Sequence, residues 1–139
     1  MTASALDLGL ARKVLADQPF SVLLGARLEV FEPGRAVLAL DLDGRLQQQN
    51  GFAHGGVLAY AADNAITFAA GTVLGPAVLT GGMTISYVRP ATGATLEAEA
   101  TVASSGRRQA VCRCDLYAVA ADGARTLCAV AQGTVLTAG

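Results

Sequence analysis

The feature of this chain that most constrains its fold is a long apolar stretch from His54 to about Leu74. The stretch is rich in alanine, which favours helix, and it is apolar nearly all round. A helix without a polar face has to be buried, so the rest of the chain must cover it. Gly75 and Pro76 follow directly and predict its end. The sequence therefore predicts one long buried helix near the middle of the fold.

The segments on either side of this helix have the character of β-strands. Glu32-Pro33-Gly34 has strong turn chemistry and predicts a hairpin between strands at Ala26–Phe31 and Arg35–Leu42. Four further strands, separated by turn signals, are predicted at Val78–Val88, Ala94–Ser104, Arg107–Val119 and Thr126–Leu136. We expect these four to form an antiparallel meander. The order of elements predicts an α+β fold in which one sheet covers one helix.

The N-terminal part of the chain has apolar spacing of helical type. A helix is predicted over residues 4–17, with Ser4 as a capping residue and Gln18-Pro19-Phe20 at its end. At 139 residues we expect a single domain over 1–139, with an N-terminal helical part at 1–18 and a core at 19–137.

Composition narrows the classes of partner. Hydrophobic residues make up 53% of the chain and charged residues only 15%, so we expect part of the surface to be buried against another copy of the chain. A net charge of −1 gives no reason to expect nucleic acid. Uninterrupted apolar stretches are shorter than the ~20 residues that span a bilayer, and the first residues lack the basic region of a secretory signal. We therefore expect a cytoplasmic protein without a membrane partner.

The three cysteines predict core packing. An odd number argues against a disulfide framework. Cys112 and Cys114 lie two residues apart on a predicted strand, so both face the same side, and free cysteine is among the most buried residue types. Cys128 is the third. A metal site would need more ligands than this pair and one distant histidine supply, so no metal is expected.

Chemistry is concentrated at the long helix. His54 is the only histidine, and Gly55 and Gly56 follow it at the predicted helix start, where unpaired N–H groups carry partial positive charge. Glycine lets a ligand carbonyl approach these groups closely, as in an oxyanion hole. Asp63, in the middle of the apolar run, is a carboxylate that can act as a nucleophile or as a general base. Together these groups predict attack on a carbonyl carbon.

One chain cannot complete such a site. Gly55 and Asp63 are eight residues apart on one helix. That spacing corresponds to ~12 Å, whereas reacting groups must approach to ~3 Å. Two copies with their long helices packed antiparallel can bring Gly55 of one chain to Asp63 of the other. If the chain has an acyl-transfer site, it must be at least a dimer.

The chain also resembles a known family. Gly51-Phe52-Ala53-His54-Gly55-Gly56, Ala62-Asp63-Asn64-Ala65 and Ser86-Tyr87-Val88-Arg89-Pro90 are similar to motifs of the hotdog-fold acyl-CoA thioesterases of the phenylacetate-degradation (PaaI-like) type. The resemblance covers about residues 19–137. It implies a hotdog fold, an antiparallel sheet wrapped around one central helix. It also implies a coenzyme A thioester as substrate, no separate cofactor, and a dimer or a dimer of dimers, that is, a homotetramer.

The resemblance assigns roles to particular residues. It implies that Asp63 is the nucleophile or general base and that the N–H of Gly55 polarises the thioester carbonyl. It implies that His54 mainly orders the loop. Thr80 falls where some members have a hydroxyl residue that helps to place water.

A departure from the family pattern concerns the loop before the helix. Gln48 stands where many members have an asparagine, so either Gln48 or Asn50 is expected to reach the water or substrate atom. Gly56 is expected to contact substrate beside Gly55.

Arginines near strand ends are candidates for the coenzyme A phosphates. Guanidinium suits phosphate geometry, which favours Arg89, Arg107 and Arg108. Solvated charges at strand ends would explain them equally well.

Two other functions stay open at this stage. One is a hydratase or dehydratase of acyl thioesters on the same fold, which would need His54 as its catalytic histidine. The other is an acyl-CoA-binding module without catalysis. Neither the acyl group nor the choice between direct attack and base catalysis by Asp63 follows from the sequence.

Overall fold

The computed structural model describes residues 7–138. This part of the chain folds into three α-helices, one 3-10 turn and six strands. In order they are α1 (Leu8–Ala16), α2 (Pro19–Leu24), β1 (Arg27–Glu32), β2 (Arg35–Asp41), the 3-10 turn (Gly44–Leu46), α3 (Gly55–Leu74), β3 (Val78–Tyr87), β4 (Thr95–Ser105), β5 (Gln109–Val119) and β6 (Arg125–Thr137). The predicted succession of helix, hairpin, long helix and four strands is confirmed.

The N-terminal helix begins at Leu8. Asp7 caps α1, and its Oδ1 accepts a hydrogen bond from the N–H of Gly9 at 2.7 Å. Ser4, the predicted cap, lies outside the described residues. The segment Gln18-Pro19-Phe20 does follow the end of α1, but Pro19 also begins α2, a helix that was not predicted. Proline suits the first position of a helix because its φ is already helical and its missing N–H would have no partner there.

All six strands form one antiparallel sheet in the order β1-β2-β4-β5-β6-β3. The β1–β2 hairpin is confirmed. The predicted four-stranded meander was wrong for its first strand. Only β4, β5 and β6 form a meander, while β3 pairs with β6 and β2 pairs with β4.

Burial patterns explain this arrangement. Strand β4 alternates buried and less buried residues, and β2 beside it is buried along most of its length. The register joins the buried faces of the two strands, as in the pairs Leu38 with Ala98 and Leu40 with Leu96. Seven of the ten residues of β3 are exposed, so β3 does not offer such a face. Since register follows the buried pattern, β3 lies at the edge of the sheet instead.

Helix α3 is the centre of the fold. It packs against β2, β4 and β5. Its length and its mean hydropathy of 1.3 over 18 residues would also suit a membrane span, but 56% of that window is buried inside the protein. Gly75 ends the helix with φ +94°, a conformation that favours glycine. The prediction of one long buried helix is confirmed.

The three cysteines are free and buried on β5 and β6, which confirms their prediction as core residues. Burial raises the pKa of the Cys112 thiol to about 11. Burial also raises the pKa of Cys114, with a smaller contribution from the charges of Asp115 and Glu99, and that of Cys128. All three are therefore thiols at neutral pH, and none is activated as a nucleophile.

Candidate active site

The first turn of α3 leaves one backbone donor free. His54 caps the helix, and its Nδ1 accepts a hydrogen bond from the N–H of Gly56 at 2.8 Å. The carbonyl of His54 accepts from the N–H of Val57 at 2.9 Å. Between residues 7 and 138, the N–H of Gly55 makes no hydrogen bond. Gly55 is therefore the available donor at this positive helix end, whereas the N–H of Gly56 is engaged within the chain.

Tyr87, at the end of β3, holds the same turn from the other side. Its hydroxyl donates to the carbonyl oxygen of Gly55 at 3.1 Å. A Cβ atom at Gly55 would lie 3.5 Å from the ring of Tyr87, which is an ordinary van der Waals contact. This contact was not predicted. In the sequence, Tyr87 stands out only as part of the motif Ser86-Tyr87-Val88-Arg89-Pro90.

Asp63 lies two turns further along α3, and a hydroxyl group from β3 holds its carboxylate. Thr80 Oγ1, on β3, donates to Asp63 Oδ1 at 2.5 Å. Thr67 Oγ1 donates to the carbonyl oxygen of Asp63 at 2.8 Å and lies 3.1 Å from Thr80 Oγ1. Asp63 is half-buried, so its carboxylate is oriented but reachable. Thr67 was missed by sequence reasoning, although its i+4 spacing from Asp63 was a usable signal.

Strand β3 contacts the Asp63 carboxylate and the Gly55 turn at two widely separated points. Thr80 and Tyr87 are seven residues apart, which corresponds to ~23 Å along a strand. Within one chain the structure brings Thr80 to Asp63 and Tyr87 to Gly55. It does not bring Asp63 and Gly55 together.

The loop before α3 belongs to the Gly55 region. The Oε1 atom of Gln48 accepts from the N–H of Asn50 at 2.5 Å and from the N–H of Phe52 at 3.3 Å. Gln48 therefore orders the loop through its oxygen, while Asn50 is exposed. Among residues 7–138, neither side chain makes a hydrogen bond to Asp63 of the same chain.

The three candidate arginines lie at opposite ends of β6. The guanidinium of Arg89 donates to the carbonyl of Leu127, near the start of β6, at 3.2 Å. The carbonyl of Arg108 accepts from the N–H of Thr137, at the last residue of β6, at 3.0 Å. Arg107 and Arg108 are exposed in the β4–β5 turn. One chain therefore does not gather them into a single phosphate site.

The site thus consists of two half-sites. One offers a free backbone N–H at a helix start, suited to the developing negative charge on a carbonyl oxygen. The other offers an oriented carboxylate, suited to attack on a carbonyl carbon or to activation of water.

Comparison with known proteins assigns the chain to a family. The profile of the thioesterase superfamily matches residues 50–124, more than half of the chain. A thioesterase family protein from Silicibacter pomeroyi is 31% identical, with 94% of this chain and 97% of that chain covered and a TM-score of 0.87. The TT0310 protein from Thermus thermophilus is also 31% identical, with 86% and 97% covered and a TM-score of 0.73.

The PaaI protein of the phenylacetic acid degradation operon of E. coli shares the fold. It is 24% identical, with 93% of this chain and 91% of that chain covered and a TM-score of 0.81. No curated protein sequence matches this chain. The sheet wrapped around α3 is the hotdog fold, and the chain belongs to the thioesterase superfamily, with a function of the thioesterase type.

Proposed function

We propose that the protein is an acyl-CoA thioesterase of the PaaI-like type that works as a homodimer or as a dimer of such dimers. Water cleaves the thioester to a free acid and coenzyme A, and no further cofactor takes part. The N–H of Gly55 binds the thioester carbonyl oxygen. Asp63 of the other chain either attacks the carbonyl carbon itself, forming an anhydride that water then hydrolyses as coenzyme A leaves, or takes a proton from the water molecule that attacks.

The position of both half-sites along β3 supports this proposal. Strand β3 is an edge strand with Thr80 and Asp63 near one end and Tyr87 and Gly55 near the other. Antiparallel pairing of two β3 strands about a two-fold axis near Met83 exchanges these ends. The carboxylate of one chain then lies beside the helix start of its partner. The exposed backbone of an edge strand favours such pairing.

The same two-fold axis brings the remaining candidate residues of the two chains together. Gln48 and Asn50, which accompany Gly55, come to the end that carries the partner's Asp63. Arg89 likewise comes to the end that carries the partner's Arg107 and Arg108. A coenzyme A molecule bound across this interface would meet guanidinium groups from both chains, in the geometry that phosphate prefers.

The structure disfavours the hydratase alternative. Such an enzyme would need His54 as a base, but Nδ1 of His54 accepts the N–H of Gly56, so the neutral ring carries its proton on Nε2 and has no free nitrogen to accept another. The oriented Asp63 carboxylate disfavours the non-catalytic alternative, because a binding module has no need of a carboxylate held beside the ligand.

Complementation between two inactive variants tests the shared site. Asp63→Asn removes the carboxylate. Gly55→Pro removes the backbone N–H, adds the proline ring and should keep the helix start, because proline suits the first helical position and His54 already has the extended conformation that precedes proline. Gly55→Ala is the matched control, since it adds a Cβ in ordinary contact with Tyr87 and keeps the N–H.

Each variant alone should release little thiol from an acyl-CoA panel. A mixed dimer has one site with both defects and one intact site, so a statistical mixture should regain about one quarter of wild-type activity. Buried Cys112, Cys114 and Cys128 keep the background of a thiol-reactive dye low. Absence of any recovery in a mixed dimer isolated with two affinity tags would refute the shared site.

A further inference from the structure

One strand, β3, contacts the first turn of α3 through Tyr87 and the middle of α3 through Thr80. We propose that Tyr87 is a positioning residue for the N–H of Gly55, and that each β3 strand thereby serves both active sites of the dimer. Thr80 acts on the carboxylate of one site, and Tyr87 acts on the carbonyl-binding donor of the other. The inference rests on the proposed function and goes beyond it by giving Tyr87 a role in the reaction.

A bulge in β3 allows both side chains to face α3. Thr80 and Tyr87 are seven residues apart, and residues an odd number apart in a regular strand face opposite sides of the sheet. The pairing of β3 with β6 shifts between Thr80 and Gly82, so Gly81 is an extra residue in the strand. This extra residue brings the two side chains to a common side, and both hydroxyls reach α3.

The first turn of α3 has little conformational preference of its own. It begins with Gly55 and Gly56, and glycine loses more backbone entropy on ordering than any other residue. The N–H of Gly56 bonds to Nδ1 of His54, and the N–H of Val57 bonds to the carbonyl of His54. These bonds join residues two or three apart in the chain, so they do not fix the turn relative to the sheet.

Tyr87 supplies a contact from outside the helix. Its hydroxyl donates to the carbonyl oxygen of Gly55, which lies 32 residues earlier in the chain, at 3.1 Å. The Cα atom of Gly55 joins this carbonyl group to the free N–H, so holding the carbonyl limits the rotation of the N–H. A donor that is oriented before the substrate arrives stabilises developing charge without a cost of reorganisation. Tyr87 therefore acts on the substrate carbonyl through Gly55, without touching it.

The two hydroxyls of one β3 strand belong to different active sites of the proposed dimer. Thr80 accompanies Asp63 of its own chain, and Tyr87 accompanies Gly55 of its own chain. The proposed two-fold axis combines Gly55 of one chain with Asp63 of the other. Thr80 and Tyr87 of the same strand therefore act on two different substrate molecules.

Steady-state kinetics of Tyr87→Phe test the positioning role. The substitution removes the hydroxyl and keeps the ring beside Gly55. We expect kcat for acyl-CoA hydrolysis to fall about tenfold with KM unchanged, because the Gly55 donor acts on charge that develops only in the transition state. Tyr117→Phe, on β5, is the matched control and should keep the wild-type kcat, since its ring contacts Arg125 and not α3. An unchanged kcat for Tyr87→Phe, or a change in KM alone, overturns the inference.

A double variant shows whether Tyr87 acts through Gly55. In the Gly55→Pro background the N–H is already missing, so Tyr87→Phe should lower the residual kcat no further. A second tenfold loss in that background would show that Tyr87 acts by another route and would overturn the inference.

Mixed dimers test the division of β3 between two sites. A mixed dimer of Asp63→Asn and Tyr87→Phe chains has one site with both defects and one intact site, so it should keep about half of the wild-type activity. In a mixed dimer of Asp63→Asn and Thr80→Val chains, the remaining carboxylate lacks its own Thr80 hydroxyl, and activity should be about one twentieth. Equal activity of the two mixed dimers would place Tyr87 and Thr80 in the same site and would overturn the division.

Amide hydrogen exchange, measured by NMR, separates this inference from the proposed function because it needs no turnover. Tyr87→Phe should raise the exchange rate of the Gly56 N–H about tenfold, since the first turn of α3 opens more often, and Tyr117→Phe should leave that rate unchanged. Faster exchange in a protein that hydrolyses no thioester would support the positioning of the turn by Tyr87 and refute the thioesterase. Hydrolysis with unchanged exchange and unchanged kcat in Tyr87→Phe would refute the role of Tyr87 alone.

Discussion

The central strands of the sheet and its edge strand β3 differ in how completely one chain covers them. Leu38, Leu96 and Leu116, on β2, β4 and β5, are fully buried against α3. On β3, Leu79 is 66% exposed and Tyr87 is 52% exposed, although both are large and apolar. The side-chain hydrogen bonds that join the candidate residues Asp63 and Gly55 to the sheet come from Thr80 and Tyr87 of β3. The part of the fold that one chain completes thus provides stability, and the part that it leaves open carries the candidate site.

The largest effect on activity is expected from a substitution of Asp63, in the region beside β3. Asp63→Asn should lower kcat by about three orders of magnitude, because the reaction loses its attacking oxygen or its base. The far-UV circular dichroism should not change. Asp115→Asn, at an exposed position of β5, is the control and should keep full activity. Undiminished thiol release by a folded Asp63→Asn protein would remove Asp63 from the mechanism.

A pair of leucine substitutions compares the stability of the two regions directly. Leu116→Ala should lower the free energy of unfolding by about 3 kcal/mol, since it opens a cavity in a fully buried layer. Leu79→Ala should cost less than about 1 kcal/mol within the chain and should act mainly on self-association. Urea titrations over a wide range of protein concentration distinguish the two effects. Equal losses in the free energy of unfolding for the two variants, independent of protein concentration, would contradict the difference between the buried strands and β3.

Alkaline pH should lower the free energy of unfolding through the buried thiol of Cys112. The pKa of Cys112 is about 11 in the folded protein, against an ordinary value of 9.0. Between these values the unfolded chain loses a proton that the folded chain keeps, so stability falls as pH rises. The loss should begin near pH 9 and reach about 2 kcal/mol near pH 11. The free energy of unfolding, measured by urea titration at each pH, should fall less steeply with pH for Cys112→Ala than for the wild type. Identical slopes for the two proteins would show that Cys112 is not the cause.

The smallest effect is expected at the hydroxyl that orients the carboxylate. Thr80→Val should lower kcat about tenfold, because a hydrogen bond to Asp63 is lost while the volume of the side chain is kept. Thr80→Ser retains the hydroxyl and should recover most of the activity. Steady-state kinetics of both variants measure the difference, and equal rates for valine and serine would show that the hydroxyl has no role.

The local features of the site could be read from the sequence because they depend on neighbouring residues. His54, Gly55 and Gly75 mark the ends of α3 through capping and backbone freedom, and their positions were predicted correctly. The burial of Cys112 and Cys114 followed from strand alternation. The contacts of Thr67 with Thr80 and of Tyr87 with Gly55 could not be derived in this way. They depend on where β3 lies relative to α3.

The sequence by itself determined the long buried helix, the hairpin, the number of strands after the helix, and the separation of Gly55 from Asp63. These properties follow from residue type, spacing and helix rise, all of which act over short range. Only the tertiary structure decided that β3 lies at the edge of the sheet beside β6, and that the two half-sites lie at its two ends. The reason is that strand pairing depends on which buried faces match across the whole sheet, and that comparison involves residues far apart in the chain.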